Sequence, residues 1–98
     1  MRLIKNKGRK MIADKLGYRQ VANTTTVLKA TPAGLFSITC IVGGAVVVYD
    51  NASAASGVVL YTKTMVAGDV VHWGGTGIAA NNGLTVIVTT GTVNVSFT

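Results

Sequence analysis

The sequence predicts an all-β protein: an antiparallel β-sandwich or small jelly-roll-like barrel of about seven strands, preceded by a basic N-terminal arm containing a short helix. Three observations predict it. Short runs rich in Val, Ile, Thr and Tyr recur at intervals of roughly ten residues, separated by clusters of Gly, Asn, Asp and Ser. No helical periodicity lies between these runs. The positive charge is concentrated at the N-terminus of the 98-residue chain. This length has room for one domain.

The arm is predicted to span residues 1–22, and the β-domain residues 23–98. In the arm, the spacing of Met11, Ile12 and Leu16 gives a helix over residues 9–16 one apolar side, and Gly17 is placed to end it. A helix so short is marginal in water and needs a surface to lie on. We therefore predict that the arm binds a partner, with Arg2, Lys5, Lys7, Arg9 and Lys10 docking electrostatically and Met11, Ile12 and Leu16 as the anchor.

The first predicted strand is 26–30, and Thr31-Pro32-Ala33-Gly34 ends it because proline has no N–H for a strand ladder. The second strand, 35–42, alternates along its length. Its predicted core face is Phe36, Ile38, Cys40 and Val42. The Gly43-Gly44 pair then predicts a tight hairpin into the third strand, 45–49.

A central hairpin is the clearest feature. The third strand and the fourth, 58–64, flank eight turn-forming residues, 50–57. A turn at 67–69 and a fifth strand, 70–73, follow. Residues 74–83, GGTGIAANNG, are predicted to be a long loop. Strands 84–89 and 92–97 close the chain, and an OB-like barrel is the alternative architecture.

The charge distribution predicts that other protein covers much of the domain. Only 12% of the residues are charged, against roughly 25% in an average soluble domain. The net charge of +6 lies within residues 1–20, and residues 21–98 hold Lys29, Lys63, Asp50 and Asp69, with no net charge. A free monomer usually shows more surface charge than this.

The titratable side chains are too few to suggest an enzyme: one His, one Cys, three Asp and no Glu. Asp69 and His72 are three apart, which in a strand points them to opposite faces. Cys40 is predicted to be a small core residue. We predict no catalytic residues, cofactor or metal, with calcium at Asp50-Asn51 as a minor alternative. No apolar run reaches the roughly 20 residues of a membrane span, so we predict no membrane partner.

The stretch from Ala33 to Phe97 carries a resemblance to a known class of proteins. The residues concerned are Gly34-Leu35, Tyr49-Asp50-Asn51, Ser53, Ser56-Gly57, Val59-Leu60-Tyr61, Asn82-Gly83-Leu84-Thr85-Val86 and Val93-Asn94-Val95-Ser96-Phe97. The stretch resembles small β-rich virion structural proteins of tailed bacteriophages, of the head decoration or cement type. Some relatives of that type sit in the tail.

The resemblance implies a sandwich or jelly-roll-like protein that oligomerises, often as a trimer, and clamps neighbouring capsid subunits. Its partner would be the major capsid protein or another virion protein. The protein would be made in the cytoplasm of the bacterial host and end in the virion capsid. The resemblance offers no catalytic residues.

Two other functions stay open. The cations of the arm would neutralise phosphates in a small nucleic-acid-binding protein, giving salt-sensitive binding. In a tail or host-glycan-binding component, Trp73, Tyr49 and Tyr61 would form a sugar-stacking platform on one exposed face, although aromatics buried in the core are favoured.

Overall fold

The computed structural model describes residues 17–74 and 77–98. These residues form nine β-strands. The strands are β1 (Gly17–Ala22), β2 (Thr25–Lys29), β3 (Ala33–Val42), β4 (Gly44–Asp50), β5 (Val58–Met65), β6 (Val70–His72), β7 (Ile78–Ala80), β8 (Leu84–Thr89) and β9 (Thr92–Phe97). In this part of the chain no helix has the length and apolar character to cross a membrane.

The strands form two antiparallel sheets that pack against each other. Sheet A has the order β1-β9-β3-β6, with β7 also beside β3, and sheet B has the order β2-β8-β4-β5. Buried side chains from both sheets make one core, which includes Ile38 and Val95 of sheet A and Val48 and Val86 of sheet B. The predicted all-β class with antiparallel sheets is confirmed. Two separate sheets do not match the alternative OB-like barrel.

The predicted central hairpin is present. β4 pairs with β5 along its whole length, from Gly44 opposite Met65 to Asp50 opposite Val58. Asn51 shapes the connecting loop, since its Oδ1 accepts the N–H groups of Ser53 and Ala54 at 2.8 and 2.9 Å. An asparagine that bonds its own following backbone in this way favours a turn.

The predicted hairpin at Gly43-Gly44 is wrong. β3 pairs with strands of sheet A, whereas β4 lies between β5 and β8 in sheet B. The glycines therefore carry the chain from one sheet to the other, and neither has the positive φ of the favoured hairpin turns. Gly44 is needed for space: a Cβ there would lie 2.5 Å from the Thr89 carbonyl oxygen.

Two strands lie where none was predicted. β1 covers residues 17–22, which the sequence assigned to the arm, and pairs with β9 from Gly17 to Ala22. Gly17 thus pairs with Phe97 as a residue of β1; the helix predicted to precede it lies outside the described residues. β7 lies within the predicted loop 74–83 and pairs with β3. Both are edge strands that bury few side chains, so the alternation that marks a strand is weak.

The predicted core face of β3 is partly wrong. The pairing with β9 shifts between Leu35 and Ser37, which leaves Phe36 as an extra residue. Such a bulge moves the following side chains to the other face. As a result Leu35 is fully buried together with Ile38 and Cys40, while Phe36 is half-buried. Val42 is 51% exposed beyond a second shift at the end of the strand.

Candidate assembly surface

The predicted partner-binding side chains lie outside the described residues. They are Arg2, Lys5, Lys7, Arg9, Lys10, Met11, Ile12 and Leu16. The surface described below is therefore built by the two sheets, and of its residues only Tyr49 was predicted above to contact a ligand, in the glycan-binding alternative.

The outer face of sheet B consists of the side chains that alternate with the buried ones. Val46, Val48, Val86 and Val88 point into the core. Directly paired residues share a face, so the pairings assign three rows to the other side. The rows are Val27-Thr85-Tyr49-Val59, Thr25-Ile87-Val47-Thr62 and Thr89-Ala45-Thr64. This outer face is made of Val, Ile, Tyr, Ala and Thr, without a charged side chain.

Apolar atoms of this face are open to solvent. Val27 is 38% exposed and Val59 is 47% exposed, at opposite edges of the sheet. Between them Val47 and Ile87 lie side by side and half-buried. Thr85 is fully buried, and its hydroxyl donates to the Asn51 carbonyl oxygen at 2.8 Å. The face therefore presents mainly β-branched side chains to the solvent. The hydroxyl of its fully buried Thr85 already has a hydrogen-bond partner.

The outer face of sheet A mixes polar and apolar side chains. Its two central rows, from the pairings of β1, β9, β3 and β6, are Tyr18-Ser96-Ser37-His72 and Gln20-Asn94-Thr39-Val70. Within it the hydroxyls of Ser37 and Ser96 bond each other. The amide and hydroxyl groups hydrate readily, whereas Tyr18 and Val70 of the same rows expose 72% and 57% of their surface and offer apolar atoms to the solvent.

The cations of the described residues lie on the edge strands. Arg19 of β1 pairs with buried Val95, Lys29 of β2 with buried Leu84, and Lys63 of β5 with buried Val46. Each therefore occupies a register position on the core side of its sheet. Charged residues that point inward from an edge oppose pairing with another strand. These three edges are thus protected against pairing with a strand of another molecule.

Asp50 ties together the loops at one end of the sandwich. Its carboxylate accepts the backbone N–H of Asn82 at 2.8 Å and that of Asn81 at 3.1 Å. The hydrogen bond from Asn82, supported by Asn81 and Gly83, lowers the pKa of Asp50 below its ordinary 3.8, against the opposing effect of desolvation. Asp50 thereby joins the end of β4 to the turn before β8.

This pKa gives an acid-dependent contribution to stability. Because the pKa is lower in the folded chain, the contribution is fully present above pH 3.8 and is lost as the pH falls through the folded-state value. We expect the difference in free energy of unfolding between wild type and Asp50→Asn to shrink on acidification. Urea unfolding of both proteins across a pH series measures it. A difference independent of pH would contradict the assigned role.

The calcium alternative does not fit the geometry. The Asp50 carboxylate and the Asn51 side-chain oxygen both face N–H groups, which repel a cation. Among residues 17–74 and 77–98, no three His, Cys, Asp or Glu side chains cluster closely enough to hold a metal ion. The Asp69 carboxylate accepts the Val66 N–H and lies 3.7 Å from Lys63 Nζ, while His72 shares the outer face of sheet A with Ser37. Cys40 is buried in the core, as predicted.

The three aromatics of the glycan alternative do not share one exposed face. Tyr61 pairs with buried Val48 and stacks edge-on with Trp73, the ring centroids 5.3 Å apart. Both rings pack against the core, as favoured above. Tyr49 lies on the outer face of sheet B, opposite Thr85. The chain therefore does not assemble the predicted sugar-stacking platform from these side chains.

Searches of protein-family models, of curated proteins and of solved structures found no match to this chain. A proposal for its function therefore rests on its residues and their geometry.

The sequence contains one pattern that points to the outer face of sheet B. The run Ala45-Val46-Val47-Val48-Tyr49 is apolar at every position and does not alternate with polar residues. Uninterrupted apolar strands are typical of sheets that are covered on both faces. Together with the missing charge, this run is the sequence pattern that would predict a second covered face.

Proposed function

We propose that this chain is a non-enzymatic structural protein of a bacteriophage particle, a decoration or cement protein of the head. In this role it forms oligomers and bridges neighbouring capsid subunits. The observation that carries the proposal is the absence of charge from the outward positions of both sheets, within the part of the chain that the structure describes. Uncharged surfaces suit contact with protein, because burying them avoids the large desolvation cost of burying charges.

We further infer a jelly roll from the strand pairing. β6 and β7 lie one after the other along β3 and act as a single interrupted strand. The pairs are then first with last, second with second-last, and so on inward: β1 with β9, β2 with β8, β3 with β6-β7, and β4 with β5. Wrapping a folded antiparallel ribbon into two sheets produces this order. Jelly rolls of this kind occur in viral capsid and lectin domains.

The arm supplies the second contact in this proposal. Arg2, Lys5, Lys7, Arg9 and Lys10 would dock on an acidic surface of the major capsid protein or another virion protein, and Met11, Ile12 and Leu16 would anchor the arm. Attachment of many copies across subunit boundaries stabilises the assembled shell by mass action. The location would be the virion, after synthesis in the host cytoplasm.

Light scattering of the full-length protein at low and high salt tests the assembly. We expect a defined oligomer at both salt concentrations, because contacts between uncharged faces are not weakened by ionic screening. A full-length variant with Lys5→Gln, Lys7→Gln and Lys10→Gln should keep this mass but lose co-sedimentation with heads of the phage that encodes the chain. Lys29→Gln is the matched control and should still co-sediment. A monomer under all conditions would contradict the proposal.

A second candidate, nucleic-acid binding, is favoured by one observation. Tyr18 is 72% exposed on the outer face of sheet A, two residues after the basic residues 1–16. Exposed aromatics stack on bases of single strands, and a basic segment near them binds the phosphates. In this case binding of a single-stranded oligonucleotide would weaken steeply with salt, and Tyr18→Ala would weaken it about 5- to 150-fold while Tyr18→Phe would not. Equal binding by both Tyr18 variants would exclude this mode.

A further inference from the structure

We propose that Asn82 is a site of spontaneous deamidation and that Asp50 suppresses this reaction in the folded chain. The inference concerns a covalent modification and does not depend on the proposed assembly function.

The first step is the sequence of the turn before β8. Asn82 is the asparagine of this chain that a glycine follows. In such a pair the main-chain nitrogen of the glycine can approach the side-chain amide, because glycine has no Cβ to obstruct it. Asparagine is one of the thermally labile residues. Asn82 is also exposed, so water reaches its side chain.

The second step is the reaction. The Gly83 nitrogen gives up its proton and forms a bond to Cγ of Asn82. The bond between Cγ and Nδ2 breaks, and ammonia leaves with a proton in place of the one given up. Water then opens the cyclic imide at either of its two carbonyl groups, which leaves aspartate or isoaspartate at position 82. Water is the only co-reactant.

The third step explains why the fold keeps this reactive pair. Gly83 is buried, and a Cβ added there would lie 2.5 Å from the Lys29 carbonyl oxygen and 2.8 Å from the Cα of Ala52. Both obstacles are backbone atoms, so no side chain can rotate to make room. Position 83 therefore requires glycine, and the chain must limit the reaction in another way.

The fourth step is the place of Asp50. Its carboxylate accepts the N–H groups of Asn82 and Asn81 at 2.8 and 3.1 Å, and the Gly83 N–H and the Asn82 side-chain amide add weaker hydrogen bonds. A carboxylate beside the Gly83 N–H disfavours loss of its proton, because the nitrogen anion would have the same charge. The hydrogen bond to the Asn82 side chain holds the amide at the carboxylate. Asp50 thus opposes both the formation of the nucleophile and its attack.

Peptide mass spectrometry of the full-length protein tests this inference. Wild type, Asp50→Asn and Asp69→Asn are incubated at mildly alkaline pH, sampled over time and digested with trypsin. Lys29 and Lys63 are the last cleavage sites, so Asn82 falls in peptide 64–98, separate from position 50. Deamidation replaces an NH2 group by OH, and fragment masses assign the change to one residue.

We expect Asp50→Asn to raise the rate of deamidation at Asn82 at least about fivefold, the factor that a like charge roughly 4 Å away imposes in water. Asp69→Asn is the matched control, because Asp69 also holds a turn by accepting a backbone N–H, that of Val66. Its rate at Asn82 should equal that of wild type. Circular dichroism checks that both variants keep their strands.

Two results would overturn the inference. A smaller increase in Asp50→Asn would mean that the carboxylate does not suppress the reaction. An equal increase in Asp69→Asn would mean that lost stability, and not the lost carboxylate, exposes Asn82 to attack. If Asp50→Asn fails to fold, wild type in buffer is compared with wild type unfolded in urea. The folded chain should then react at least about fivefold more slowly, and equal rates would overturn the inference.

Discussion

Ile38→Ala is expected to lower the free energy of unfolding by about 2–5 kcal/mol. Ile38 has no exposed surface and lies in β3 between β9 and β6, in register with buried Val95. Removing its side chain loses the transfer free energy of the buried methyl and methylene groups and leaves a cavity. For a small domain this is a large part of the total stability. Urea unfolding at a fixed protomer concentration measures the change, since association contributes to the stability of an oligomer.

Ile41→Ala is the matched control. It removes the same atoms from the same strand, but Ile41 is 44% exposed. We expect it to lower the free energy of unfolding by at most about 1 kcal/mol, because substitutions at surface positions have small effects. A similar loss of stability in both variants would mean that β3 does not direct Ile38 into the core.

Gly44→Ala is expected to destabilise the protein by about 3 kcal/mol or more, and to lower the melting temperature by roughly 12–24 °C. The added Cβ would lie 2.5 Å from the Thr89 carbonyl oxygen and 2.7 Å from the Gly91 nitrogen. Both obstacles are backbone atoms, so no side chain can rotate to relieve the overlap. The start of β4 and the link between β8 and β9 would have to move apart.

Gly74→Ala is the control for this prediction, because nothing lies within 4 Å of a Cβ added there. Its effect should stay within about 0.5 kcal/mol. Calorimetry of both variants measures the difference. Equal melting temperatures of Gly44→Ala and Gly74→Ala would contradict this prediction. They would mean that the two crossings between the sheets, at Gly43-Gly44 and at Thr90-Gly91, are not closely packed.

Much of the strand content follows from local patterns. β4, β5, β8 and β9 are rich in β-branched residues and bounded by turn-forming clusters, which is why all four were predicted close to their observed positions. β1 and β7 escaped this reasoning. In β1 only Val21 is buried, so its pairing with β9 rather than its own composition makes it a strand.

The candidate surface was predicted only in outline. The scarcity of charge in residues 21–98 is read from the sequence alone, and the prediction that other protein covers part of the surface rests on it. The predicted contacts of the arm, from Arg2 to Leu16, lie outside the described residues and stay predictions. The rows that include Ile87 and Val47 could not be derived, because these residues are far apart in the chain and meet only through the register of β8 with β4.

The sequence by itself determined the all-β class, the central hairpin, the burial of Cys40 and the separation of a basic N-terminus from a nearly uncharged domain. Tertiary structure alone decided which sheet each strand joins, that Gly43-Gly44 crosses between sheets, and that Leu35 replaces Phe36 in the core. The reason is physical. A period of two specifies which side chains share one side of a strand, whereas partner strands, bulges and the choice of the side that faces outward depend on hydrogen bonds and packing between residues distant in the chain.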